Sequence, residues 1–204
     1  MIGILNYGLG NIKAFENIYR KLHIPVKVLN SKDDFDGITK LILPGVGAFD
    51  HAMTTFNQSG LREISEKMIL EDKVPVIGIC VGMQMLAASS DEGKLPGLGW
   101  IKGKVHRFDE SKINFATHLP HMGWNDVKVK PDSPIFVEFP ANPKFYFLHS
   151  YYFECDNASD IIATSEYGIE FTCAVNHENV FGVQFHPEKS HEYGIKLLEN
   201  FSKI

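Results

Sequence analysis

The feature that most constrains this chain is an alternation. Over the first eighty residues, short aliphatic and β-branched runs at 2–5 (IGIL), 26–29 (VKVL), 40–44 (KLILP) and 74–79 (VPVIGI) are separated by amphipathic stretches such as NIKAFENIYRKL and LREISEKMILED. In the latter, Leu61, Ile64, Met68 and Ile69 recur at helical spacing. Short runs of this kind, interrupted only by Lys27 and Lys40, suit strands. Placed between helical segments, they predict parallel strands joined by helices. From about residue 99 the pattern becomes shorter, turn-punctuated strands: GKVHRF, WNDVKV, KFYFLHSYYF, IIATSEY, FTCAVN and VFGVQF. That half reads as mixed or antiparallel sheet. The last stretch spaces Tyr193, Leu197 and Phe201 four apart, which predicts a helix packed back on the sheet. With no linker, repeat or low-complexity segment, one α/β domain over 1–204 is the economical reading.

Composition narrows the function classes. A length of 204 residues with 44% hydrophobic and 22% charged side chains suits one soluble core. The net charge of -5 and the lack of a basic stripe exclude nucleic acid as an expected partner. No apolar run approaches the ~20 residues needed to span a bilayer, and the opening MIGILNYG carries no basic leader. No membrane association is expected, and the protein reads as cytoplasmic. Cys80, Cys155 and Cys173 are odd in number and irregularly spaced, which suits neither a disulfide framework nor a four-ligand zinc site. They are read as reduced thiols, with no metal.

One thiol has a distinctive setting. Gly78-Ile79-Cys80-Val81-Gly82 places a cysteine between glycines, after an apolar strand and before the helical pattern MQMLAASS. This is the layout of a nucleophile elbow with sulfur in place of a hydroxyl. So tight a reversal strains the central residue, and the flanking glycines remove Cβ atoms that would collide. A cysteine there also meets a helix N-terminus, which favours thiolate, and the Val81 N–H would point at a developing oxyanion. An isolated cysteine is more often a small buried core residue, and it is the elbow that reverses that preference.

A thiol needs a base, and His186 has the context for one. It closes the apolar strand Gly182-Val183-Gln184-Phe185, and Pro187 and Glu188 follow it. Proline ends ladder pairing, and a carboxylate two residues on can reach the far ring nitrogen and fix its tautomer. Of the other histidines, His149 reads as a strand residue with a hydrogen-bonded polar edge and His121 as part of a Pro-Gly loop. His51, His106, His118, His177 and His191 read as solvated.

Taken together, GICVGMQ and FGVQFHPE, in the chain order Cys, His, Glu, resemble the class I, or triad, glutamine amidotransferases. PGVGAF at 44–49, NYGLGN at 6–11, PHMGWN at 120–125 and FYFLHSYYF at 145–153 further resemble one branch of that family, the glutaminase subunits of imidazole glycerol phosphate synthases. The resemblance covers nearly the whole chain. It implies a single three-layer α/β domain with a central mixed, largely parallel sheet flanked by helices. It also implies that Cys80 is the nucleophile, His186 the general base and acid, and Glu188 the group that orients it. By the same resemblance Val46 and Gly47 complete an oxyanion hole begun by Val81, while Gly45, Gln84, Glu92, Ser150 and Tyr151 bind the substrate glutamine. No cofactor is implied. The implied partner is a (β/α)8-barrel cyclase subunit that forms a heterodimer and receives channelled ammonia. Asn6, Tyr7, Asn11, Met122 and Trp124 would help form the interface. Turnover of glutamine by the isolated chain is expected to be slow.

Three rival readings stand beside this one. NYGLGN is a weak dinucleotide fingerprint, because Lys13 stands where its last glycine or alanine is needed. The same glutaminase chemistry also serves nucleotide-sugar and surface-polysaccharide pathways, and the ending EKSHEYGIKLLENF leans that way. A non-catalytic regulatory module with this fold is the third, against which the presence of Cys80, His186 and Glu188 argues.

Overall fold

A computed structural model describes residues 1–115 and 118–204. The first half follows the alternation. Strand β1 (Ile2–Leu5) leads through helix α1 (Ile12–Lys21) to β2 (Val26–Leu29), and β3 (Lys40–Gly45) leads through α2 (Phe49–Gln58) and α3 (Arg62–Glu66) to β4 (Val76–Cys80). Helix α4 (Val81–Met85) follows β4 without a break. The remaining strands are β5 (Ser89–Ser90), β6 (Gly103–Arg107), β7 (His121–Asp126), β8 (Lys128–Val129), β9 (Lys144–His149), β10 (Tyr151–Cys155), β11 (Ile161–Tyr167), β12 (Ile169–His177) and β13 (Val180–Val183). Helix α5 (His191–Ser202) closes the chain.

The main sheet runs β2-β1-β3-β4-β13-β12-β10-β6-β5, with β11 paired to β12 and β8 to β11. From β2 to β13 the neighbours are parallel, and β12 turns the sheet antiparallel. β1 crosses over to β2 on one side and β3 to β4 on the other. Right-handed crossovers therefore place α1 and α2 on opposite faces, giving three layers. Each outer layer is tied within itself: the Tyr19 hydroxyl donates to the Leu198 carbonyl between α1 and α5 on one face, and α2 packs on α4 on the other. Strands β1, β3 and β4 are almost wholly buried, as their continuous apolar character requires.

Several elements differ from the sequence expectation. The helical pattern after Cys80 stops at Met85, and Ser89–Ser90 are instead a short strand beside β6. The stretch LREISEKMILED is α-helical only to Glu66 and then widens into one π turn over Lys67–Glu71. KFYFLHSYYF is not one strand. It breaks at Ser150, so that β10 joins the main sheet and β9 pairs with β7 in a separate two-stranded sheet. The Pro-Gly context of His121 proves to be the start of strand β7, where His121 lies opposite His149. Among the described residues no helix is long and apolar enough to cross a membrane.

Candidate active site

Three parallel strands end side by side. Gly45 at the end of β3 pairs with Cys80 at the end of β4, and Ile79 pairs with Val183 at the end of β13. The segments that leave those ends, Val46–Gly47, Val81–Met85 and Gln184–Glu188, therefore surround one point outside the carboxyl edge of the sheet. Open α/β sheets bind ligands at such an edge.

Cys80 sits at the vertex of the strand-to-helix turn with φ 56° and ψ -113°, a conformation that non-glycine residues seldom adopt. Backbone packing over-determines it. A Cβ at Gly82 would lie 2.0 Å from the Leu43 carbonyl oxygen, and one at Gly45 would lie 2.4 Å from the Gly82 nitrogen. Strand β3 and the first turn of α4 thus touch backbone to backbone, which holds the turn closed.

His186 comes from the segment after β13. Its backbone N–H donates to the Tyr146 carbonyl, and its own carbonyl accepts from the Ser190 hydroxyl. Nδ1 of the ring lies 2.9 Å from Glu188 Oε1, with the two side chains only 5% and 2% exposed. Burial alone would depress this imidazole. Hydrogen bonds to the Cys80 sulfur and to Glu188, reinforced by the charge on each, override burial and push its pKa up to about 10. The ring is therefore a protonated group between a sulfur and a carboxylate at neutral pH. Glu188 Oε2 is buried with no hydrogen-bond partner among the described residues, and the imidazole orients the carboxylate through Oε1.

A pocket of about 290 Å³ opens over Cys80 and His186. Val46, Gly47, Val81, Gln84, Glu92, Ser150 and Tyr151 all line it, so the structure brings these sequence candidates together around the sulfur; Gly45 lies just beneath, beside Cys80 in the sheet. Gly47 has φ +86°, open to glycine and strained for other residues. Glu92 Oε2 accepts the backbone N–H of Phe49 at 2.9 Å, which ties it to the start of α2. Gln84 is 2% exposed, and its Nε2 donates to the Tyr151 carbonyl at 3.3 Å and to Gln184 Oε1 at 3.0 Å. Both amide hydrogens are thereby committed, and its carbonyl oxygen is the group through which it can meet a ligand.

Met122 and Trp124 project from β7, 63% and 47% exposed, so Trp124 is no core residue; its indole stacks on His191 at 5.1 Å. Asn11 is exposed, and Asn6 is half-buried, donating to Asn30 Oδ1 at 2.7 Å. Tyr7 corrects its expectation as an interface residue. It is buried, its ring set edge-on to Phe56 and its hydroxyl donating to the Pro44 carbonyl. The loop it belongs to braces the segment at the end of β3, because an aromatic ring beside Phe56 gains more from burial than from solvent.

Besides His149, which also lines the pocket, four residues of the site were not singled out from sequence. Pro120, Leu148 and Lys189 line the pocket, and Gln184, fully buried, donates from Nε2 to the Cys80 sulfur at 3.8 Å. Gln184 had a signal, an amide inside an otherwise apolar strand ending; the other three had none. Of the histidines read as solvated, His177 and His191 are exposed as expected and His106 is half-buried, and each also has a partner: His106 meets Asp91, His177 the buried Asp160, and His191 Trp124. Among the described residues no group of three or more His, Cys, Asp or Glu is placed to hold a metal.

A strained thiol, a charged imidazole beside it and a carboxylate behind the imidazole make an arrangement suited to acyl transfer through a thioester. A protein of Bdellovibrio bacteriovorus named imidazole glycerol phosphate synthase subunit HisH is 58% identical over 204 residues, covering all of both chains. A Leptospira interrogans protein of the same name is 48% identical over the same length, again covering both chains fully. A crystal structure described as a glutamine amidotransferase superposes with a TM-score of 0.75 at 19% identity, covering 100% of this chain and 99% of the other, and so shares the fold. The family described as glutamine amidotransferase class-I matches residues 4–204, and the chain belongs to that family.

Proposed function

We propose that this chain is the glutaminase subunit of an imidazole glycerol phosphate synthase. In this reading it hydrolyses glutamine to glutamate and ammonia and passes the ammonia to a (β/α)8-barrel cyclase subunit in histidine biosynthesis. The observation that carries the chemistry is the Cys80, His186 and Glu188 constellation at the joined strand ends. The acceptor is carried by relatives named HisH that match the chain over its whole length.

In this reading the Cys80 sulfur, whose proton already rests on His186, attacks the side-chain amide carbon of glutamine. The oxyanion that forms is met by the Val81 amide and by the peptide of Val46 and Gly47. His186 returns the proton to the departing nitrogen, ammonia leaves, and a γ-glutamyl thioester remains on the sulfur. Water, deprotonated by His186, attacks the thioester, and glutamate departs as the sulfur leaves with its electron pair beside the protonated ring, which restores the starting state. A ring that keeps its proton up to about pH 10 is already charged when the leaving nitrogen needs it. Glu188 stabilises that charge and fixes the tautomer. Gly45, Gln84, Glu92, Ser150 and Tyr151 form the glutamine site.

Ammonia released into water is protonated and no longer nucleophilic, so the product must pass directly to a docked synthase. The exposed Met122 and Trp124, with Asn6 and Asn11, are proposed to meet that subunit. The 1–204 chain acts as one glutaminase domain.

The test is glutamate release from glutamine, measured with and without the barrel cyclase and its phosphoribulosyl ligand, beside a Cys80→Ala variant. The expected result is Cys80-dependent turnover, slow alone and stimulated by the ligand-loaded cyclase. Cys80-dependent turnover that the cyclase never stimulates would move the acceptor to a sugar-modifying enzyme. No turnover in any combination would leave the fold without the activity.

A further inference from the structure

The sulfur of Cys80 lies at the buried end of a continuous hydrogen-bond chain whose polarity is fixed throughout and which reaches the surface at Asn125. Gln184 Nε2 donates to the sulfur at 3.8 Å, and Gln184 Oε1 accepts from Gln84 Nε2 at 3.0 Å. Gln84 also donates to the Tyr151 carbonyl, which receives a second bond from His149 Nδ1 at 2.8 Å. A carbonyl only accepts, so His149 carries its hydrogen on Nδ1 and presents Nε2 as an acceptor. His121 Nδ1 lies 3.0 Å from that Nε2 and must donate to it; His121 Nε2 then accepts from Asn125 at 3.2 Å. Asn125 gives its other hydrogen to the Glu166 carbonyl at 2.8 Å.

Gln84, Gln184, His121 and His149 are each more than nine-tenths buried. Burial lowers the pKa of His121 to about 4 and that of His149 to about 3, so both rings stay neutral near pH 7 and the single tautomer pattern holds. A buried polar chain with every link satisfied is rigid, and cutting one link strands its neighbours without partners. The elbow fixes the Cys80 backbone, whereas the direction of its sulfur is a side-chain torsion that needs its own restraint.

We infer that Gln184 is a positioning residue for the Cys80 sulfur, held in register by Gln84, the Tyr151 carbonyl and the His149 and His121 side chains behind it. This role rests on the glutaminase reading above. An amide N–H aimed at sulfur favours its anionic form and holds it towards the substrate amide.

The test uses the purified chain, alone and with its cyclase subunit, and reads two quantities. The first is the rate at which iodoacetamide alkylates Cys80, followed on the Cys80 peptide by mass spectrometry. The second is the division of any loss in glutamine hydrolysis between kcat and KM. Gln184→Met keeps the volume and removes both links. It is expected to slow alkylation and lower kcat roughly ten- to a hundredfold with KM little changed. His149→Phe cuts the chain away from the sulfur and is expected to lower kcat about tenfold, while His149→Gln, which can both donate and accept, recovers part of the loss. Circular dichroism and thermal melting confirm that each variant is folded. Parental alkylation and parental kcat in folded Gln184→Met would overturn the inference. If that variant does not fold, the His149 pair decides instead, since equal activity in the Phe and Gln variants would overturn it. Alkylation needs no glutamine turnover. A parent that releases no glutamate would therefore sink the glutaminase reading while the placement of the sulfur is still measured.

Discussion

Histidines at the pocket wall and just behind it sit in two opposite environments. His186 on the segment after β13 is held between a sulfur and a carboxylate and keeps its proton up to about pH 10. His149 and His121, on the β9 and β7 strands beside it, are held by a carbonyl, an amide and each other, and burial keeps them neutral to about pH 3 and 4. All three are almost inaccessible. Burial depresses every one, and only where acceptors of negative charge surround the ring is that penalty reversed. The comparison teaches that the partner, rather than the depth, decides whether a buried histidine moves protons or holds a shape.

Breaking the charged side should have the largest effect. His186→Ala removes the group that shuttles the proton, and kcat for glutamine hydrolysis is expected to fall about ten-thousandfold with the fold retained. Steady-state kinetics with the cyclase present checks this, and a loss confined to KM would contradict it. Glu188→Gln is milder, because the ring remains and only its orienting charge is lost. A drop of roughly a hundred- to a thousandfold is expected. The same substitution removes one of the charges that raise the ring, so the alkaline limb of the pH profile, near pH 10 in the parent, should move to lower pH. A limb that stays in place would mean that Glu188 does not act on His186 through charge.

How much of this was legible in the sequence depends on how far apart the contributing residues lie. The parallel half was legible because each strand and its crossover helix are contiguous, and the elbow because a strain at Cys80 and its relief at Gly78 and Gly82 lie within five residues. The His186 and Glu188 pair was legible for the same reason. The break at Ser150 was not, since the apolar pattern runs through it. What divides β9 from β10 is pairing with β7, more than twenty residues upstream. That pairing also turned a Pro-Gly neighbourhood into a strand and buried His121, a case of tertiary context overriding local preference. The contact of Gln184 with sulfur depends on β13 lying against β4, a neighbour relation that no local pattern states. Tyr7 was misplaced because Phe56, which covers it, lies on another element.

The two histidine environments should also have opposite signatures in stability. Relative to an ordinary value of 6.5, His121 and His149 bind protons more weakly when folded. Their contribution is therefore full above pH 6.5 and is lost as the pH falls towards 4 and 3. His186 binds its proton more tightly when folded, so its contribution is full below pH 6.5 and is lost as the pH rises towards 10. Urea unfolding at a series of pH values should give a steep acid limb in the parent, with a limiting slope of about 1.4 kcal/mol per pH unit for each group. His149→Phe should flatten that limb and leave the alkaline side alone, and His186→Phe should do the reverse. The same slopes in both variants would show that the two environments do not differ as described.

The smallest effect is expected on the outer face of the neutral pair's own strand. Met122 and Trp124 alternate with His121 and Gly123 along β7, so the strand that carries the buried chain inward also presents two large apolar side chains outward. With the indole resting mainly on His191, Trp124→Ala should change stability by less than about 0.5 kcal/mol, and the activity of the isolated chain should change little. Association with the cyclase subunit should weaken by more than that, because exposed aromatic and methionine side chains that become buried carry interface energy out of proportion to their number. Calorimetric titration of the two subunits checks the comparison. Unchanged affinity in Trp124→Ala and Met122→Ala would place the docking face elsewhere on the rim of the pocket, and a large loss of stability would mean that β7 needs its outer side chains as much as its inner ones.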